Sequence, residues 1–197
     1  MTSLSFWFDF ASTYSYPAAL RIDEMAGARG VSIVWRPILL GPIFANQGWR
    51  NSPFNIYPAK GKYMWRDLER LCAVENLPFQ RPDPFPQNSL LAGRVATALD
   101  GEPRARFCRS VFAEEFGRGR SIDSPEFIAD VLRTQGLPVD SLERAASDEV
   151  KAALKSSVEE ARALGVFGAP SFTTEDGELF WGFDRLAAAL DWARDRT

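Results

Sequence analysis

The chain contains no histidine and only two cysteines. The first absence removes Ser-His-Asp and Cys-His nucleophilic catalysis, together with the zinc sites that are built on imidazole. The second removes a disulfide framework. Cys72 and Cys108 are far apart in sequence, match neither a metal-binding pair nor a disulfide-dense pattern, and are expected to be buried structural thiols. No metal is expected. No run of about 18 apolar residues is present to span a bilayer. The chain begins directly with Ser5-Phe6-Trp7-Phe8-Asp9 after a short polar start, without a basic leader, a long apolar segment or a small-residue cleavage site, so cytoplasmic residence is the expectation. A Lys/Arg block is also missing: 23 basic against 26 acidic residues leave a net charge of -3, which argues against nucleic acid or an anionic membrane as partner. Any chemistry therefore needs little imidazole-type proton transfer, or borrows its reactive group.

What is present is a clear order of elements. With 197 residues the chain can bury one substantial core or form two compact lobes. Leu4 to Phe10 reads as a strand with Phe6, Phe8 and Phe10 on one face and Trp7 on the other, apolar on both sides as a central strand is. Helical spacing follows from about Ser15 to Arg29, and a second strand runs from Val31 to Leu39. This βαβ opening places the two strands parallel. Gln47 to Lys60 reads as an ordered loop. Helical patterns then succeed one another over Lys62 to Glu75, Ser89 to Leu99, Arg104 to Phe116, Pro125 to Gln135, Ser141 to Ala146 and Glu149 to Leu164. Ser124-Pro125 is a helix start with a mechanism, a hydroxyl cap followed by a proline where no N–H is missed. Strand signals return at Ser171 to Thr174 and Leu179 to Trp181, with Asp176-Gly177 between them as a hairpin turn. A last helix covers Arg185 to Asp195. The order βαβ, helical series, ββα is that of an α/β thioredoxin-like fold with a large all-helical insertion. Residues 1–42 and 165–197 would form the thioredoxin-like part, and 43–164 the connecting loop and insertion.

Three short stretches can carry chemistry. Ser12-Thr13-Tyr14-Ser15 stands where a thiol-disulfide oxidoreductase carries Cys-x-x-Cys, so disulfide exchange is excluded for want of sulfur. Ser12 either caps the first helix or donates its O–H to a thiolate bound near the helix N-terminus. Ala169-Pro170, just before the hairpin, is either an ordinary strand entrance or a cis proline facing the serine motif, with the Ala169 backbone offered to an extended peptide. Trp181-Gly182-Phe183-Asp184, before the last helix, either caps that helix through Asp184 or holds an amino-acid zwitterion such as the γ-glutamyl end of glutathione.

Four segments in order, Phe8-Asp9-Phe10-Ala11-Ser12-Thr13-Tyr14-Ser15-Tyr16, Pro58 to Asp67, Gly165 to Pro170 and Phe180 to Leu186, resemble the 2-hydroxychromene-2-carboxylate isomerase family, which belongs with the kappa-class glutathione transferases in the DsbA-like group. The resemblance spans nearly the whole chain. It implies a glutathione-dependent isomerase of aromatic catabolism acting on a small aromatic acid, with Ser12 as the catalytic residue that hydrogen-bonds the glutathione sulfur. It further implies that Ala169 pairs with the tripeptide, Pro170 is the cis proline, and Trp181, Gly182, Phe183 and Asp184 form the γ-glutamyl pocket. Asn51 then contacts glutathione, and Lys60 and Phe85 the substrate. A homodimer is implied as well. Phe85 departs from the tyrosine expected in the naphthalene-pathway enzyme, Thr13 from a proline, and Ala169 from a larger aliphatic residue. Two other readings stand beside this one: a kappa-like transferase that conjugates glutathione to electrophiles, and a non-catalytic thioredoxin-fold module that grips peptides through Ala169 and Pro170.

Overall fold

A computed structural model describes residues 2–195. Strand β1 (Ser3–Phe8) lies inside a four-stranded sheet of order β2-β1-β3-β4. It pairs in parallel with β2 (Ser32–Pro37) and antiparallel with β3 (Ser171–Thr174), and β3 pairs antiparallel with β4 (Leu179–Trp181). Helix α1 (Ser15–Gly27) makes the crossover between β1 and β2. The alternation in β1 separates two apolar clusters. Phe6 and Phe8 pack with Trp35 and Phe172 on one face, whereas Trp7 faces Ile38, Ile43, Val158 and Ala161 on the other and donates its indole N–H to Thr173 Oγ1 at 2.8 Å.

Between β2 and β3 the chain is helical: α2 (Leu40–Asn46), α3 (Pro53–Ile56), α4 (Pro58–Val74), α5 (Leu90–Ala98), α6 (Gly101–Arg118), α7 (Pro125–Thr134), α8 (Asp140–Arg144) and α9 (Asp148–Ala163). A single 3-10 turn, Phe183–Arg185, leads into α10 (Leu186–Asp195). The larger core cluster runs without interruption from the sheet into this helical series, through Phe8 and Phe10 against Phe107 and Phe112.

Two readings of the sequence are corrected. The second strand stops at Pro37, because Leu40 already opens α2, with Gly41 and Pro42 inside its first turn. The stretch 47–60 is not all loop. Ser52 caps α3 by accepting the Phe54 N–H, Pro53 and Pro58 occupy helix starts, and Lys60 sits in the first turn of α4, which begins at Pro58, four residues ahead of where the periodicity places that helix. Among the described residues, no helix is long and apolar enough to cross a membrane.

Candidate active site at the junction of two recesses

The β1–α1 connection is built by Asp9. Its backbone carbonyl accepts the Ser12 N–H at 2.9 Å and its Oδ1 accepts the Ala11 N–H at 3.0 Å, so the chain turns sharply before the helix. Ser12 is consequently not a helix cap. The cap position falls on Tyr14, which has helical dihedrals and no side-chain cap bond. Ser12 is 6% exposed, and its hydroxyl donates to the Ala169 carbonyl at 2.9 Å. The Ala169–Pro170 peptide bond is cis. The two motifs thus meet directly, although 157 positions separate them.

Ser12 and Ala169 line a cleft of about 1120 Å³, slightly above the usual range of small-ligand pockets. Asn51, Lys60, Phe85 and Trp181 line the same cleft. Lys60 holds its ammonium 4.9 Å over the Tyr57 ring, Phe85 meets Trp65 edge-on, and Asn51 accepts from Ser52 N and Asn55 Nδ2 through its side-chain oxygen. A second recess of about 730 Å³ contains Pro170, Gly182, Phe183 and Asp184. Tyr14, Phe54, Ala169 and Trp181 line both recesses, which makes them the shared wall. Asp184 lies beside Arg185 at 3.5 Å in an exposed pair of little energetic weight. Gly182 adopts φ +100°, and a Cβ there would come within 2.6 Å of Asp184 Oδ1. Gly168 similarly admits the Trp181 indole, whose Nε1 would lie 2.8 Å from an added Cβ.

Sequence reasoning passed over Asp9, Tyr14, Asp67 and Glu115. The Tyr14 hydroxyl donates to Asp67 Oδ2 at 2.9 Å in the second recess, and burial, followed by that carboxylate, pushes the phenol upward so that it stays a donor. Asp9 is 3% exposed and borders the first cleft. Burial raises its pKa, opposed by the Leu40 N–H, the nearby Ser89 side chain and the Ala11 N–H. Glu115, fully buried on α6, has no partner for either carboxyl oxygen; desolvation and then the Asp9 charge raise it well above the carboxylate range. A lone acid inside the apolar run Leu4 to Phe10 was the available signal for Asp9; Glu115 had none. Both cysteines are buried and free. Desolvation lifts Cys72 to about 11 and Cys108 further still, so neither supplies a thiolate near neutral pH.

The chain belongs to the DSBA-like thioredoxin domain family, which it matches over residues 3–191. Within that class it is 28% identical over 186 residues to the 2-hydroxychromene-2-carboxylate isomerase of Sphingobium xenophagum, with 93% of this chain and 94% of that one covered. It is 27% identical over 199 residues to Glutathione S-transferase kappa 1 of Homo sapiens, covering 93% and 87%. A solved 2-hydroxychromene-2-carboxylate isomerase superposes with a TM-score of 0.87 at 26% identity, over 98% of this chain and 95% of that one. The cytosolic disulfide reductase DsbM of Pseudomonas aeruginosa with GSH, at TM-score 0.69 and 16% identity, shares the fold.

Proposed function

We propose that this chain is a glutathione-dependent isomerase that interconverts 2-hydroxychromene-2-carboxylate and trans-o-hydroxybenzylidenepyruvate or a related conjugated aromatic acid. The observation that carries this reading is the Ser12 hydroxyl against Ala169 where the two recesses join, in a chain whose own thiols are buried and held neutral. The residues suit a tripeptide thiol. Gly182 leaves room for the Asp184 carboxylate to fold back toward the second recess, where it can receive an ammonium group. Bound glutathione would supply a thiolate that adds reversibly to the conjugated carbon and so permits rotation about the former double bond.

The protein's part is orientation and charge stabilisation. Rotation of the Ser12 hydroxyl away from the Ala169 carbonyl exchanges a neutral acceptor for a charged one, a gain for that hydrogen bond. It also frees the carbonyl to accept an N–H from an extended peptide, as an added strand would. One such donor contributes about 1.5–3 kcal/mol, equivalent to about one to two pKa units of the thiol. In the first cleft Lys60 offers a cation to a substrate carboxylate, and Phe85 an apolar face.

Ser12→Ala is expected to lower turnover about 10- to 150-fold while retaining part of the glutathione affinity measured by calorimetry; unchanged turnover overturns the assignment. The near-equal match to the kappa-class transferase supports a second reading, conjugation to an electrophile. Mass spectrometry of the product separates them, since isomerisation conserves the substrate mass and conjugation adds the tripeptide.

A further inference from the structure

Asp9 receives backbone donors from two separate walls of the first cleft. Its Oδ1 accepts the N–H of Ala11, next to Ser12 in the β1–α1 turn. Its Oδ2 accepts the N–H of Leu40, the first residue of α2, at 2.7 Å. Ser89, at the cap position of α5, lies close enough to favour the charged carboxylate. Leu39, at the cap position of α2, has no side chain able to cap that helix. Asp9 therefore does for α2, across the fold, what a local serine or aspartate does for other helices. Glu115 does not compete for these donors, since neither of its oxygens has a partner.

We propose that Asp9 is a positioning residue: as an acceptor-only carboxylate it locks the Ser12 turn and the start of α2 into one arrangement, and thereby holds the Ser12 hydroxyl at the mouth between the recesses. A carboxylate offers about four lone-pair sites and no donor, whereas an amide replaces one oxygen by an NH₂ that cannot accept. With each oxygen engaged by a backbone N–H, Asp9 acts through Ser12 rather than on a substrate. The consequence for turnover rests on the isomerase reading; the lock itself does not.

The test is Asp9→Asn, studied first without glutathione by NMR hydrogen exchange. Exchange at Ala11 and Leu40 should rise at least about tenfold while the central strands keep their protection; wild-type protection at both amides in the folded variant overturns the proposal. In the wild-type chain, through-hydrogen-bond scalar couplings should link the Ala11 and Leu40 nitrogens to the Asp9 carboxyl carbon. Their absence overturns it equally, and this measurement stands even where the variant does not fold. With glutathione and substrate, the variant should lose about tenfold or more in kcat with a smaller change in KM; opened amides with unchanged kcat would also refute a positioning role. A wild-type chain without glutathione-dependent turnover would defeat the isomerase reading, while the exchange and coupling results would still decide on the lock.

Discussion

Glu115 is an acid in a place that offers it nothing: fully buried on α6, both oxygens unpartnered, with the Asp9 charge acting on it. Its folded pKa lies above its unfolded one, so the protonated form is the one the fold accommodates. The associated stability is present below the unfolded value of about 4.3 and is lost as pH rises from there through the folded value. Glu115→Gln, which cannot ionise, should accordingly match the wild type in acid and exceed it progressively as pH rises above that range. Thermal midpoints measured across pH check this, and a constant or shrinking difference would contradict it. A second residue-scale expectation concerns Gly182. An alanine there meets both the left-handed backbone and Asp184 Oδ1, so Gly182→Ala should lose about 1–3 kcal/mol of stability in denaturant titration, and glutathione affinity with it. The serine motif, the cis proline and the Asp184 turn were all readable as single residues. Which of the alternatives each one serves was not, because a hydroxyl's acceptor is decided by whatever lies opposite.

A helix start was legible where a local cap was followed by a full apolar period, as at α7, and was missed where the cap comes from afar, as at α2, or where the helix is too short to show a period, as at α3. Ser124 accepts the Phe127 N–H at 3.1 Å with Pro125 behind it, as the sequence predicts for α7. Ser124→Ala should cost about 1 kcal/mol, which for a chain of this size lowers the thermal midpoint by about 2–4 °C. A wild-type midpoint would show that the cap contributes nothing. Helix α2 lacks any such signal. Its first N–H is taken by Asp9, 31 positions earlier, and Gly41-Pro42 reads locally as a strand end. The 47–60 stretch misled for a related reason, since its asparagines, prolines and aromatics have turn chemistry that also opens the short α3 and the first turn of α4.

The whole molecule is tied together by aromatic packing across the boundary between sheet and helical series. Phe112 on α6 lies 4.9 Å from the Phe10 ring and 5.9 Å from that of Phe8. Phe112→Ala should therefore cost about 3–5 kcal/mol. Unfolding should remain a single transition by far- and near-ultraviolet circular dichroism, because neither side keeps a closed core without the other. Two separated transitions would show that residues 43–164 fold independently.

By itself the sequence determined most of the element types, through the two-residue and 3.6-residue periods of its apolar positions, and the absence of histidine, which leaves chemistry that needs little imidazole-type proton transfer or borrows its reactive group. It also carried the four motifs by which the family is recognisable. Only the tertiary structure decided that the Ser12 hydroxyl meets Ala169 instead of capping α1, that Tyr14, Phe54, Ala169 and Trp181 border two recesses at once, and that Asp9 joins two cleft walls. Local patterns register contacts within a turn of helix or a pair of neighbouring residues. The bonds that make this site mostly link groups tens to more than a hundred positions apart, where a hydrogen bond depends on direction and distance that no periodicity encodes.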